Sequence, residues 1–136
     1  MSEAQRIDHN DGMREDELRS WLEELGRGWE THDVDRFAGV FSADAVYSEN
    51  PFDDPMVGTD AIREYAGLAA QHQRDVSFGF EIVSVSPAVV RWWASYVKVA
   101  NSEQTRVDGV FLLEFGDDGR CTSLREWWHA DPSPSF

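Results

Sequence analysis

The sequence predicts an α+β domain: three helices packed on the concave face of a strongly curved, mainly antiparallel sheet. Three observations predict it. The first half of the chain carries apolar residues at helical spacing. The second half carries them in alternation. Two tryptophan pairs, Trp92-Trp93 and Trp127-Trp128, fall inside the alternating segments. Neighbouring side chains on a strand point to opposite faces, so each pair puts one indole on each face of the sheet. A sheet with large apolar groups on both faces needs both covered, here by helices on one side and another subunit on the other.

The elements follow in order. Met1 to Gly12 is polar and reads as a disordered lead-in, with a single domain expected over residues 13–131. A first helix is expected from about Met13 to Thr31, because Leu18, Trp21, Leu22, Leu25 and Trp29 form one stripe. Asp33 caps a short second helix carrying Val34, Phe37, Ala38 and Phe41. Ala45 to Glu49 reads as a short strand, ended by Pro51 and the loop through Pro55. Thr59 is the expected N-cap of a third helix with Ile62, Tyr65, Ala66 and Ala69 on one face, weakened by Gly67. Val76, Phe78, Phe80 and Ile82 alternate as a strand, and the phase shift to Val83 and Val85 implies a bulge. Val89–Val99, Thr105–Phe115 and Cys121–His129 are the remaining strands, the last two joined by the Gly116-Asp117-Asp118-Gly119 turn. Long strands over short helices curl into a cone, leaving a pocket open at one end.

Composition narrows the function. The 136 residues suit one domain, able to bury roughly two-thirds of its unfolded surface. A formal net charge of −14, with Lys98 the one lysine, repels phosphate backbones and anionic membranes, so neither nucleic acid nor a membrane is an expected partner. The single cysteine, Cys121, permits no internal disulfide and fits a reducing compartment. With no apolar run of signal-peptide or membrane-spanning length, a cytoplasmic protein is expected. The four histidines (His9, His32, His72 and His129) lack ligand spacing, so no metal site is expected, and no phosphate loop or dinucleotide fingerprint implies a cofactor.

Phe41-Ser42-Ala43-Asp44-Ala45, Gly58-Thr59-Asp60-Ala61-Ile62-Arg63, Asp108-Gly109-Val110-Phe111, Asp118-Gly119-Arg120 and Glu126-Trp127-Trp128 occur in that order. With them the chain, from about Glu15 to Ala130, resembles the SnoaL-like branch of the nuclear-transport-factor-2-like superfamily. The resemblance implies a conical α+β barrel, commonly dimeric through its convex sheet face. It does not select an activity, because polyketide cyclases, ketosteroid isomerases, epoxide hydrolases, dehydratases and pure binding modules share the fold.

Two activities of the family fit poorly. A ketosteroid isomerase uses a carboxylate base and an oxyanion hole of a tyrosine and a protonated aspartate. The base position falls at Glu49-Asn50-Pro51, where Glu49 could serve. The oxyanion-hole aspartate matches Phe111, and no tyrosine lies on the first helix. Relatives resembling limonene epoxide hydrolase place a Tyr-x-Asn on the first strand and an Arg-x-Asp on a central one. This chain has Tyr47-Ser48-Glu49 and Ala94-Ser95-Tyr96, and Glu126 where the last strand carries aspartate.

What remains is an acidic pair. Tyr47 and Glu49 share one face of the first strand, and Leu124, Glu126 and Trp128 share one face of the last. If both faces point into the cone, Glu49, Glu126 and Tyr47 are candidate catalytic residues, with one acid as proton donor and the other as base. Trp21, Trp92, Tyr96, Phe111 and Trp128 are candidate ligand-binding residues for a hydrophobic or polycyclic small molecule. Arg91, Trp93, Arg125, Trp127 and His129 then face outward and are expected at a homodimer interface, with Asp108 pairing Arg91 or Arg125. The alternative is a non-enzymatic dimeric scaffold or carrier whose pocket is filled by its own side chains.

Overall fold

The structure, a computed structural model, describes residues 13–133; the expected lead-in lies outside the described residues. In chain order the elements are α1 (Glu15–Glu30), α2 (Val34–Ala38), β1 (Phe41–Ser48), β2 (Met56–Val57), α3 (Thr59–His72), β3 (Gln73–Val85), β4 (Ala88–Lys98), β5 (Gln104–Phe115) and β6 (Cys121–Asp131). The strands form one sheet in the order β2-β1-β6-β5-β4-β3. Neighbours are antiparallel except β1 and β6, which run parallel. β2 and β3 are its edges and do not pair with one another, so the curved sheet stays open.

Local chemistry explains the helices. Glu17 accepts from the Arg14 amide at 3.0 Å, and Glu15, Asp16 and Glu17 place negative charge on the first turn of α1, where the helix dipole favours it. Asp33 caps α2 by accepting from the Arg36 amide at 3.1 Å. One face of α1, with Leu18, Leu22 and Leu25, is buried, and α1 packs across β3. The bulge expected near Val83 is present: Ile82 pairs Val90 and Ser84 pairs Val89, leaving Val83 between them as the extra residue.

Three local expectations change. The N-cap of α3 is Gly58, at φ +92°, a conformation that disfavours any side chain; Thr59 is already helical and its hydroxyl donates to the Ser42 carbonyl at 3.4 Å. Phe41 does not belong to α2. It opens β1, pairing Cys121 of β6, because α2 stops at Ala38 and the chain must turn onto the sheet. The loop after Pro51 also yields a short strand, β2, paired with β1 at Val46 and Tyr47.

Candidate functional site

Alternation along β4, β5 and β6 turns Trp92, Phe111 and Glu126 to the concave side, where all three are buried. Phe111 sits opposite Glu126 across the β5–β6 pair. β1 adds Tyr47, buried between the sheet and α3. The helices close the other side with Leu25, Trp29 and Phe37, and with Tyr65, Ala66, Ala69 and Ala70 of α3. Alanines on this face of α3 leave room that longer side chains would fill. The result is a cavity of about 590 Å³ counting its open mouth, of which about 70 Å³ is wide enough for the centre of a water molecule.

Its polar groups form two acid–phenol pairs. The Tyr47 hydroxyl donates to Oε1 of Glu126 at 3.4 Å. The Tyr65 hydroxyl donates to Oε2 of Glu49, which is half-buried just past the end of β1. The two phenol rings pack 5.3 Å apart, bringing the pairs together. Burial pushes the Glu126 carboxyl up to about 8; the charge of Glu49 adds to this and the Tyr47 bond opposes it. Burial, and then the charge of Glu126, also raise both phenols well above their ordinary value. Glu126 is therefore mainly a neutral acid at pH 7, able to donate a proton or hydrogen bond, and becomes a base only above that range.

The structure sorts the sequence-derived candidates. Tyr47, Glu126, Trp92 and Phe111 line the cavity. Glu49 does not line it and reaches the site through Tyr65. Trp21 is buried elsewhere: its Nε1 donates to the Val40 carbonyl at 2.9 Å, and its ring meets Phe41 and Phe115 edge-on, pinning α1 to the start of β1. Trp29, two turns further along α1, takes the place expected of Trp21. Tyr96 is half-buried and outside the cavity lining. Trp128 shares the parity of Glu126 but lies two residues further along β6, roughly 7 Å past it, beyond the lining. It is 40 % exposed.

Sequence reasoning missed Tyr65, Trp29, Phe37, His32 and Gln73 as lining residues. The helical stripes marked the first three as inward-facing, but could not separate cavity wall from solid core. His32 had no such signal; it sits at φ +60° in the turn between α1 and α2.

The opposite face carries Arg91, Trp93, Arg125, Trp127 and His129, all exposed. Trp93 is 39 % and Trp127 47 % exposed. Arg91 pairs Asp108 at 2.6 Å and lies over the Trp93 ring at 4.9 Å, and Arg125 lies 6.0 Å from the Trp127 ring centre. Trp93 lies across Gly79 of β3, where a Cβ would fall 2.4 Å from Nε1. Among the described residues, no three His, Cys, Asp or Glu side chains are placed to hold a metal ion, and no helix is long and apolar enough to cross a membrane.

An open α+β cone of three helices on a six-stranded sheet is the nuclear-transport-factor-2-like fold. Residues 19–124 match the SnoaL-like domain family, and the chain belongs to it. Solved structures agree on the fold. A candidate isomerase from Bacillus subtilis is similar at 16% identity and TM-score 0.75, covering 86% of this chain and 90% of that one. The epoxide hydrolase/cyclase-like enzyme SalBIII, of pyran ring formation in the polyether salinomycin, is similar at 19% identity and TM-score 0.70, covering 85% and 94%. A protein with a ketosteroid-isomerase-like fold from Catenulispora acidiphila, in complex with trimethylamine, is similar at 13% identity and TM-score 0.69, covering 79% and 83%. Curated protein sequences provide no match.

Proposed function

We propose that the cone binds a small, largely apolar organic molecule and acts on it as a cofactor-independent isomerase, cyclase or lyase, with Glu126 as the group that moves a proton. The observation that carries this reading is the buried Glu126 carboxyl on the wall of an aromatic cavity, its pKa pushed up to about 8. Glu49 supplies the second acid through Tyr65, so the two carboxyl groups share a site in different environments. The enclosed part of the cavity, about 70 Å³, is under half of the roughly 150 Å³ that takes up a benzene ring, so a ring-bearing ligand would sit partly in the mouth. The trimethylamine complex of the Catenulispora protein and the cyclase-like character of SalBIII support a small-molecule reading for this fold. A filled, non-enzymatic pocket fits the open cavity less well.

The test uses 5-nitrobenzisoxazole, whose ring opens when a base removes its C–H proton and the N–O bond breaks to release a coloured phenolate. Ring opening above the buffer rate, rising with pH through about 8 and lost in Glu126→Gln, is the expected result. Equal rates in wild type and Glu126→Gln would sink the proton-transfer role.

The exposed convex face supports a further part of the reading: a two-fold homodimer through Trp93 and Trp127. Trp93 on β4 and Trp127 on β6 are both exposed, with exposed Val110 and the Arg91–Asp108 pair between them, and this mixed apolar and charged surface supports pairing with a second copy.

A further inference from the structure

Glu126 is 5 % exposed, and its open side is the cavity. A ligand seated there, with part of its bulk in the mouth, stands between the carboxyl and bulk water. A base that takes a C–H proton must lose it again before the next turnover. Where the product carries no proton away and a fresh ligand refills the cavity, Glu126 needs a second route to solvent.

The groups along the cavity wall supply one. The Tyr47 hydroxyl is bonded to Oε1 of Glu126 at 3.4 Å. The Tyr47 and Tyr65 rings pack 5.3 Å apart, and their hydroxyls are near enough for each to shift the ionisation of the other. The Tyr65 hydroxyl is bonded in turn to Oε2 of Glu49. Both phenols line the cavity, whereas Glu49 lies outside it, half-buried beside the exposed Asn50. Oxygens thus run from the reacting carboxyl, along the wall, to a carboxylate beyond the ligand space. Burial and the charge of Glu126 keep both phenols protonated, so neither stores a charge. Each can pass a proton on only while accepting another. Among the described residues, Glu49 is the carboxylate whose charge acts on Glu126; His32, the remaining titratable residue of the lining, stands in the turn between α1 and α2.

We propose that Tyr47, Tyr65 and Glu49 form a proton relay that empties Glu126 after each turnover, with Glu49 as the port to solvent. The Glu126 O–H gives its proton to the Tyr47 oxygen, Tyr47 gives its own to the Tyr65 oxygen, and Tyr65 gives its own to the Glu49 carboxylate. Glu126 ends as a carboxylate, both phenols end neutral, and Glu49 releases the proton to water. The relay rests on Glu126 being the group that moves a proton, and it adds how that group is reset. Glu49 then acts without touching the ligand.

The experiment measures kcat and kcat/KM for 5-nitrobenzisoxazole at about pH 9.5, above the Glu126 midpoint, so that the free protein starts with Glu126 as a base. The product leaves as a phenolate, and every cycle leaves a proton on the protein. Resetting follows C–H cleavage, so it enters kcat and not kcat/KM. Tyr65→Phe and Glu49→Gln break the relay at its outer end while keeping shape. Each should keep kcat/KM within about twofold of wild type and lose roughly tenfold in kcat, with a first-turnover burst equal to the protein present. A loss of packing would move kcat/KM as well. If Glu126→Gln abolishes turnover but the other two variants lower both constants together, or leave kcat unchanged, the relay is overturned and the role of Glu126 stands. Equal rates in wild type and Glu126→Gln, or none in either, overturn both.

Discussion

The Tyr47 hydroxyl donates to Oε1 of Glu126 across 3.4 Å, joining β1 to β6 inside the cone. It is the one contact that opposes the upward push on that carboxyl. Tyr47→Phe should therefore raise the Glu126 pKa further and move the midpoint of the 5-nitrobenzisoxazole pH profile above about 8. An unchanged midpoint would separate the phenol from the acid.

The same carboxyl makes stability depend on pH. Folded Glu126 keeps its proton to about pH 8, whereas the unfolded chain loses it near the ordinary value of 4.5. Between those values the folded state binds more protons. Its contribution is thus complete below the unfolded value and is lost as pH rises to about 8, by at most about 1.4 kcal/mol per pH unit. Urea midpoints at about pH 5 and about pH 8.5 should differ more in wild type than in Glu126→Gln. Equal differences would mean that Glu126 titrates normally.

Two glycines on helices should respond in opposite directions to alanine. A Cβ at Gly28 of α1 would lie 2.7 Å from the Phe37 backbone nitrogen, which cannot move aside without displacing α2. Gly28→Ala should cost about 1–3 kcal/mol. Gly67 of α3 has nothing within 4 Å of its missing Cβ, so Gly67→Ala should add about 1 kcal/mol. Denaturant melts of the two variants check both signs.

Trp127→Asp places a charge in the exposed patch of the convex face. It should leave far-ultraviolet circular dichroism unchanged and convert a sedimenting dimer into a monomer. A wild-type monomer at micromolar concentration would contradict the homodimer directly.

Cys121 is buried, its thiol is pushed up to about 12 by burial, and Sγ donates to the Ser123 carbonyl at 3.2 Å. A rise of about 3 from the ordinary 9.0 lowers the thiolate fraction roughly a thousandfold. Reaction with a disulfide reagent should therefore be slow in the native protein and fast in urea. Rapid native reaction would show that this end of β6 opens.

Much of the fold was legible because periodicity is a local property. The α1 stripe, the Asp33 cap, the bulge at Val83 and the opposite facing of Trp92 and Trp93 all follow from spacing along the chain. The site was only partly legible. Parity put Trp128 with Glu126 correctly, but it states a face and not a depth, so it could not tell that the cavity ends before Trp128. Trp21 and Trp29 lie on one helical stripe, yet one is a structural pin and the other a cavity wall.

By itself, then, the sequence determined which residues point inward, that two carboxyl groups and a phenol were available on or just beyond β1 and on β6, and that the chain carries a net charge of −14. Only the tertiary structure decided which groups meet. Tyr47 and Glu126 lie 79 residues apart, and Tyr65 reaches Glu49 from a helix that local spacing marked simply as apolar. Such pairings depend on how helices seat across a curved sheet, where a shift of a few ångström exchanges one partner for another, and no local pattern encodes that distance.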